Sequence, residues 1–227
     1  MALSGNYSKT PKAFIFDLDG TLLDTEPLYT IATQKLLDPY GAQFTMALKR
    51  QCMGGDSRRS ARIVIDHFSL PIDETEYLAS REVHLRDLFP NAPSMPGAEQ
   101  FLRSLSQAQV PIGLATSSHQ HLMELKFSRR DWGDLFDKVV CGDDAKLVNG
   151  KPAPDIFILC ADRLGIDPSE CLAFEDSPNG VQAACAAGMS VVGINSQYVA
   201  DGGLSDADIV IDDYADLGHL IDRWTSK

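Results

Sequence analysis

The fold is decided by Ala13-Phe14-Ile15-Phe16-Asp17-Leu18-Asp19-Gly20-Thr21, which lies near the start of a chain of 227 residues. Its first four residues are a short apolar run of the kind that forms a buried strand. Two aspartates and a glycine follow at once. Because Gly20 permits a turn, the chain can leave the strand in a loop that keeps both carboxylates near the strand end. The stretch therefore predicts a buried strand that opens directly into a polar site.

Apolar runs of similar length recur along the chain, with helix-like patterns between them. The later runs cover residues 112–115, 139–141, 171–174, 191–194 and 209–211. Apolar residues three or four apart predict helices near residues 101–108, 156–164 and 181–187. Strands that alternate with helices form a parallel sheet covered on both faces. The predicted fold class is therefore α/β, with a doubly wound, Rossmann-like parallel-sheet core.

This alternation is interrupted between residues 28 and 91. The segment contains helical patterns but no convincing strand. Glu26-Pro27 and the proline-rich segment 89–97 flank it, and both are predicted hinges. We therefore predict a core domain of residues 1–27 and 92–227, with an inserted α-helical domain of residues 28–91.

Charge and composition exclude several classes of function. The formal net charge of -12 repels nucleic acids and anionic membranes, so neither is an expected partner. The N-terminal segment lacks an apolar signal core, and no run of roughly 18 apolar residues could cross a bilayer, so we expect a cytoplasmic protein. The composition is ordinary for a globular protein, and a monomer or weak homo-oligomer is expected.

The five cysteines are Cys52, Cys141, Cys160, Cys171 and Cys185. Their number is odd, and no Cys-x-x-Cys pair is present. This argues against a disulfide framework or a thiolate zinc site. The sequence therefore predicts five buried thiols.

Polar side chains follow three of the predicted strands. These are Asp17 and Asp19 after the first, Thr116, Ser117 and Ser118 after the second, and Glu175 and Asp176 after the fourth. In an open parallel sheet, ligands bind beyond the carboxyl ends of the strands. Two carboxylates as close as Asp17 and Asp19 repel each other unless a cation or proton compensates. Together with the second acidic pair they form an oxygen-rich cluster that suits magnesium.

The same residues meet the needs of phosphoryl transfer. A carboxylate can form an aspartyl phosphate, and a second one can donate and retrieve a proton. The Thr116 hydroxyl and adjacent backbone N–H groups can hold a phosphate at a strand-to-helix turn. Lys151, which precedes Pro152 and Pro154, can supply a fixed cation. These residues predict magnesium-dependent phosphoryl transfer.

Four segments occur in the order of the four motifs of the haloacid dehalogenase (HAD) superfamily. They are Asp17-Leu18-Asp19-Gly20-Thr21-Leu22-Leu23-Asp24-Thr25, Ala115-Thr116-Ser117-Ser118, Lys151-Pro152 and Phe174-Glu175-Asp176-Ser177. The chain resembles the phosphatase branch, in which a helical cap domain follows the first motif. The resemblance extends over nearly the whole chain.

The resemblance implies roles for the acidic residues. Asp17 would attack phosphorus, and Asp19 would protonate the leaving group and then activate water. Magnesium would be held by Asp17, by the backbone carbonyl of Asp19 and by Asp176, with Glu175 acting through a water molecule. An aspartate at position 19 favours phosphoryl transfer over the phosphonate and ATPase branches.

The resemblance also implies which residues bind substrate. Thr116 and Lys151 would bind the transferring phosphoryl group, and Ser117 is included among the predicted substrate-binding residues. Arg58 lies in the segment Gly55-Asp56-Ser57-Arg58, which resembles a cap segment of beta-phosphoglucomutase-like members. Arg58 would correspond to the cap arginine of those proteins. Mutases of that type carry a histidine twelve residues after the nucleophile, where this chain has Tyr29.

The closer likeness is to pseudouridine-5'-phosphatase-like members. It rests on Asp24-Thr25-Glu26 with Tyr29, Met95-Pro96-Gly97-Ala98-Glu99, Gly142-Asp143-Asp144 and Glu175-Asp176-Ser177-Pro178-Asn179-Gly180-Val181. The leading hypothesis is a phosphatase that acts on a small phosphorylated metabolite, a sugar phosphate or a nucleoside monophosphate. A phosphosugar mutase and a non-catalytic metabolite-binding module are the alternatives.

Overall fold

The computed structural model of the chain describes residues 10–52 and 57–218. The chain divides into two compact units. We call Met1–Asp24 with Pro93–Lys227 the core unit, and Thr25–Ala92 the helical unit. Glu26 and Pro27, expected at a hinge, instead begin the first helix of the helical unit. Proline is tolerated in the first turn of a helix because no intrahelical partner is needed there.

The core unit is built on a six-stranded parallel sheet. Its strands are β1 (Ala13–Phe16), β2 (Ile112–Thr116), β3 (Lys138–Cys141), β4 (Cys171–Glu175), β5 (Ser190–Ile194) and β6 (Ile209–Ile211). They lie in the order β3-β2-β1-β4-β5-β6, and every neighbouring pair is parallel. Each predicted strand coincides with one of these to within one residue at either end, and the predicted α/β fold is confirmed.

The helices divide between the two units. The α-helices of the described residues are α1 (Glu26–Leu37), α2 (Met46–Cys52), α3 (Ser57–Phe68), α4 (Glu74–Leu88), α5 (Ala98–Gln107), α6 (Gln120–Phe127), α7 (Asp155–Leu164) and α8 (Pro178–Ala186). The first four belong to the helical unit and the last four to the core unit. Within the described ranges, no helix is both long enough and apolar enough to span a membrane.

The central strand β1 is buried on both faces. Side chains alternate across a strand, so Phe14 and Phe16 point to one face and Ile15 to the other. The Phe16 ring stacks on Phe174 of β4, with centroids 4.5 Å apart, and contacts Phe101 of α5 edge-on at 6.2 Å. Ile15 belongs to the apolar cluster formed with α7 and α8. Packing on both faces fixes the point at which the chain leaves β1 towards Asp17.

The helical unit has an apolar core of its own. Leu37 of α1, Val64 of α3 and Tyr77 of α4 are among its buried members. Helix α4 begins with a capping box, in which the Asp73 side chain accepts from the Glu76 N–H and the Glu76 side chain accepts from the Asp73 N–H. The described residues of this unit form helices and connecting turns.

The five cysteines are free thiols with different degrees of burial. Cys141, Cys160 and Cys171 are buried and Cys52 is half-buried, but Cys185 is exposed. The prediction of a buried thiol is therefore wrong for Cys185. On α8 it is Val181 and Ala184 that face the core, and the helix turns position 185 outward.

Candidate active site

The site lies where the strand order reverses. Strands β2 and β4 lie on opposite sides of β1, so the order of the strands changes direction there. Ligands of open parallel sheets bind at such a change of direction, beyond the carboxyl ends of the strands. Asp17 follows β1, Thr116 ends β2 and Glu175 ends β4. The parallel register therefore brings these three predicted site residues to one edge of the sheet.

Lys151 joins the three strand ends. Its Nζ donates to Asp17 Oδ1 at 2.6 Å, to Glu175 Oε1 at 2.6 Å and to the backbone carbonyl of Ala115 at 3.0 Å. These three acceptors match the three N–H donors of an ammonium group. The Lys151 side chain is only 7% exposed. The cation predicted from the sequence is thus held rigidly between β1, β2 and β4.

Burial and charge shift the protonation of this cluster. Burial raises the pKa of Asp17 to about 7; Lys151 opposes that rise, and the Glu175 and Asp19 carboxylates add to it. Burial also disfavours the charge on Lys151, but Asp17 and Glu175 together raise the Lys151 pKa above its ordinary value. Lys151 is therefore a permanent cation, and the cluster around Asp17 remains short of positive charge.

Glu175 is enclosed by the start of α8. Its Oε2 accepts from the N–H and the hydroxyl of Ser177, both at 3.0 Å, while Oε1 accepts from Lys151. A Cβ added at Gly180 would lie 1.8 Å from Glu175 Cδ, so only glycine leaves room for the carboxylate. The structure uses Glu175 as the partner of Lys151 and Ser177, and its role as a metal ligand through water stays a prediction.

Asp176 approaches the loop that follows β1. Gly20 has a positive φ of 84°, and a Cβ added there would lie 2.0 Å from Asp176 Oδ2. The Thr21 hydroxyl donates to Asp176 Oδ1 at 3.1 Å. The carboxylate therefore occupies the space that a side chain at position 20 would fill, directly beside the Asp19–Gly20 backbone. The carboxylate of the residue that follows β4 is thus brought to the loop that carries Asp17 and Asp19.

Asp19 has a partner that the sequence did not predict. Lys126 of α6 is wholly buried, and its Nζ donates to both Asp19 carboxylate oxygens at 2.6 Å. The same ammonium donates to Ser118 Oγ at 2.7 Å, and the Ser118 hydroxyl donates to Asp19 Oδ2 at 2.7 Å. The one sequence signal for Lys126 is a lysine placed between two apolar residues of a helix.

This arrangement fits a divalent cation of the magnesium type. The site holds four carboxyl groups and two ammonium groups, so it carries two excess negative charges when all six are ionised. These side chains are Asp17, Asp19, Glu175, Asp176, Lys126 and Lys151. Oxygen ligands and a double charge suit magnesium. Within residues 10–52 and 57–218, no three acidic, histidine or cysteine side chains converge as a ready-made metal cage. The predicted set needs only two such side chains and one backbone carbonyl.

The remaining predicted substrate residues lie in different settings. Thr116 is wholly buried, and its hydroxyl oxygen accepts from the Ser118 N–H at 3.1 Å. Ser117 is exposed in the loop after β2. Arg58 is exposed on α3 of the helical unit, and Gly55 and Asp56, which precede it in the mutase-like segment, lie outside the described residues. The substrate-binding roles of all three described residues stay predictions.

Known proteins resemble this chain in sequence and in fold. The family model of the haloacid dehalogenase-like hydrolases matches residues 11–188. A Drosophila melanogaster protein named "Probable pseudouridine-5'-phosphatase" is 46% identical over 207 residues, which cover 89% of this chain and 90% of that protein. The Arabidopsis thaliana protein "(DL)-glycerol-3-phosphatase 2" is 39% identical over 200 residues, which cover 82% of this chain and 83% of that protein.

A solved structure shows the same fold at lower identity. CbbY from Rhodobacter sphaeroides, determined in complex with xylulose-(1,5)bisphosphate, has a TM-score of 0.81 and 23% identity, over 92% of this chain and 96% of that one. The predicted superfamily is confirmed, and so is the predicted enzyme class, a phosphoric monoester hydrolase. This chain belongs to the haloacid dehalogenase-like hydrolase family.

Proposed function

We propose that this chain is a magnesium-dependent phosphatase of small phosphorylated metabolites that works through an aspartyl phosphate on Asp17. One observation carries the proposal. Asp17 is a buried carboxylate at the end of the central strand, held by Lys151 at 2.6 Å, and Gly20 lets the Asp176 carboxylate reach the same loop. A fixed nucleophile beside a fixed cation suits attack on a phosphate ester.

The proposed reaction has two steps, and both use Asp19. In the first, a carboxylate oxygen of Asp17 bonds to phosphorus as the bond from phosphorus to the ester oxygen breaks, and Asp19, which enters this step protonated, gives its proton to the departing oxygen. In the second, Asp19 takes a proton from water as that water attacks phosphorus. The bond between phosphorus and Asp17 breaks, and inorganic phosphate leaves.

The remaining charges would be distributed over the strand ends. Magnesium, when bound, supplies the positive charge that offsets the phosphate oxygens. Asp17, the Asp19 backbone carbonyl and Asp176 would hold it, with Glu175 acting through water. Thr116, Ser117 and Lys151 would bind the phosphoryl group. Gly20 supports this set because it admits Asp176 beside the Asp19 backbone.

The substrate class is proposed from the relatives. Their names describe phosphatases of pseudouridine-5'-phosphate and of glycerol-3-phosphate, which supports a small phosphate ester, either a sugar phosphate or a nucleoside monophosphate. The net charge of -12 disfavours larger polyanions. The helical unit would act as a cap domain that selects the leaving group, with Arg58 as its proposed contact.

The activity is tested by release of inorganic phosphate from an aryl phosphate with magnesium, then with EDTA and with Asp17→Asn. We expect release by the wild type alone, since EDTA removes the cation and the variant removes the nucleophile. Release that survives either change would contradict the proposal. A panel of phosphorylated metabolites then identifies the substrate. Conversion of a hexose 1-phosphate into its 6-phosphate with little free phosphate would indicate a mutase instead.

A further inference from the structure

We propose that Lys126 is a positioning residue for the reaction, which acts by holding the Asp19 carboxylate where it exchanges protons with the leaving oxygen. The inference rests on the proposed function, because it concerns how Asp19 carries out its two proton transfers. It assigns a task to a buried lysine that lies outside the four motifs.

Lys126 and Ser118 both hydrogen-bond to the Asp19 carboxylate, and we call these two residues the clamp. Its Nζ lies 2.6 Å from each Asp19 carboxylate oxygen and 2.7 Å from Ser118 Oγ, and the Ser118 hydroxyl itself donates to Asp19 Oδ2. An aspartate side chain rotates about two torsions, and contacts to both of its oxygens restrict both. The Asp19 carboxylate is therefore fixed in position and in rotation.

Because Lys126 is buried, it can affect a substrate only through the residues that it contacts. The Lys126 side chain is 0% exposed, whereas the Asp19 side chain is 25% exposed. A buried ammonium without acceptors is very costly, so this lysine depends on the carboxylate and the hydroxyl that face it. The Lys126 ammonium thus contacts both carboxylate oxygens of Asp19, while a quarter of the Asp19 side chain stays exposed to solvent.

A positioned carboxylic acid matters most when the leaving oxygen needs a proton. A general acid must lie within hydrogen-bonding distance of the oxygen it protonates, and loss of alignment slows that transfer. An alkyl phosphate leaves as a strongly basic alkoxide and needs the acid. An aryl phosphate with an electron-withdrawing ring leaves as a weakly basic phenolate and needs it little. Loss of the clamp should therefore separate the two kinds of ester.

The experiment compares kcat/KM for p-nitrophenyl phosphate and for an alkyl phosphate that the wild type hydrolyses. Because kcat/KM ends with the departure of the leaving group, it excludes the later hydrolysis of the aspartyl phosphate. We expect Lys126→Met to lower the alkyl value by about 10- to 100-fold and the aryl value by less than about 3-fold. Ser118→Ala, which removes one member of the clamp, should shift the same ratio by less.

Lys49 supplies a matched control in the helical unit. It is also a buried lysine on a helix, and it pairs with the Glu26 carboxylate at 3.2 Å and the Thr30 hydroxyl at 2.7 Å. Lys49→Met should lower the melting temperature as Lys126→Met does, but leave the ratio of alkyl to aryl kcat/KM unchanged.

An equal loss on both esters in Lys126→Met, or no loss on either, would overturn the proposal. If that variant does not fold, an unchanged ratio in Ser118→Ala overturns it. Failure of the proposed function looks different. The wild type would then release no phosphate in the presence of magnesium, or Asp17→Asn would release it as well.

Discussion

Two lysines are buried near the strand ends of the core unit, and they differ in the carboxylates they hold. Lys151 lies between Asp17 and Glu175, whose side chains are 9% and 1% exposed. Lys126 holds Asp19, which is 25% exposed. The first lysine completes a closed ionic cluster, whereas the second supports a carboxylate that solvent still reaches. In the proposed roles, the first lysine would neutralise the nucleophile Asp17, and the second would orient Asp19 for proton transfer.

The largest effect on stability is expected from Lys151→Met. Removal of one partner of a buried ion pair leaves the other charge uncompensated, so the free energy of unfolding should fall by about 3–5 kcal/mol. Urea unfolding measures the change. Lys126→Met should cost less, because solvent reaches Asp19 and can compensate part of the loss. A greater loss of unfolding free energy for Lys126→Met than for Lys151→Met would show that Lys151 is not the more tightly enclosed of the two.

Thr116 lies in the chain between Ala115, which Lys151 contacts, and Ser118, which Lys126 contacts. Thr116→Val tests whether its hydroxyl contributes to activity. Thr116 precedes the loop that carries Ser118, and it is a proposed donor to the phosphoryl group. Loss of one such donor should lower kcat by about 100-fold. Thr116→Ser keeps a hydroxyl and should retain most of the activity. Equal activity of the valine and serine variants would remove Thr116 from the proposed phosphate site.

Gly180→Ala tests the closed character of the Lys151 cluster. The added methyl group would meet Glu175 Cδ at 1.8 Å, and relief of that overlap must displace the carboxylate from Lys151. We expect the free energy of unfolding to fall by about 1–3 kcal/mol. Gly150→Ala is the control, since a Cβ there meets nothing within 4 Å. Similar melting temperatures for the two variants would show that the Lys151 cluster accommodates the added methyl group with little loss of stability.

The smallest effect is expected behind the site, at Tyr214. Its hydroxyl donates to the Thr21 carbonyl at 3.0 Å, and its ring stacks on Phe174. Tyr214→Phe keeps the ring and loses the hydrogen bond, which should cost about 1 kcal/mol of stability. Phosphate release should stay close to that of the wild type. A large loss of activity in Tyr214→Phe would show that Tyr214 also contributes to the active site.

The fold was predictable because its strands are short, apolar and buried on both faces. In the run 13–16 every residue faces packed neighbours, so hydrophobicity alone marks the strand and the residues that leave it. The order of the strand ends then places Asp17, Thr116 and Glu175 at one edge. Lys151 was predictable as well, because prolines stiffen its loop and the family motif includes it.

Lys126 was not predictable in the same way. Its direction depends on the rotation of α6 about its axis, which tertiary packing sets and a weak apolar pattern does not reveal. The contacts of Glu175 with Ser177 and Gly180 likewise depend on how closely α8 approaches β4. Spacing along the chain identifies residues at strand ends, whereas contacts made by helices require the packed structure.

Phosphorylation of Asp17 is tested most directly by acid quenching of a single turnover. The enzyme is mixed with magnesium and a phosphate ester labelled at phosphorus, quenched in acid within the first turnover, and digested for mass spectrometry. We predict that the phosphoryl group is on the peptide that contains Asp17, and that Asp17→Asn carries none. Turnover without any covalent label, or with label on another residue, would contradict the mechanism.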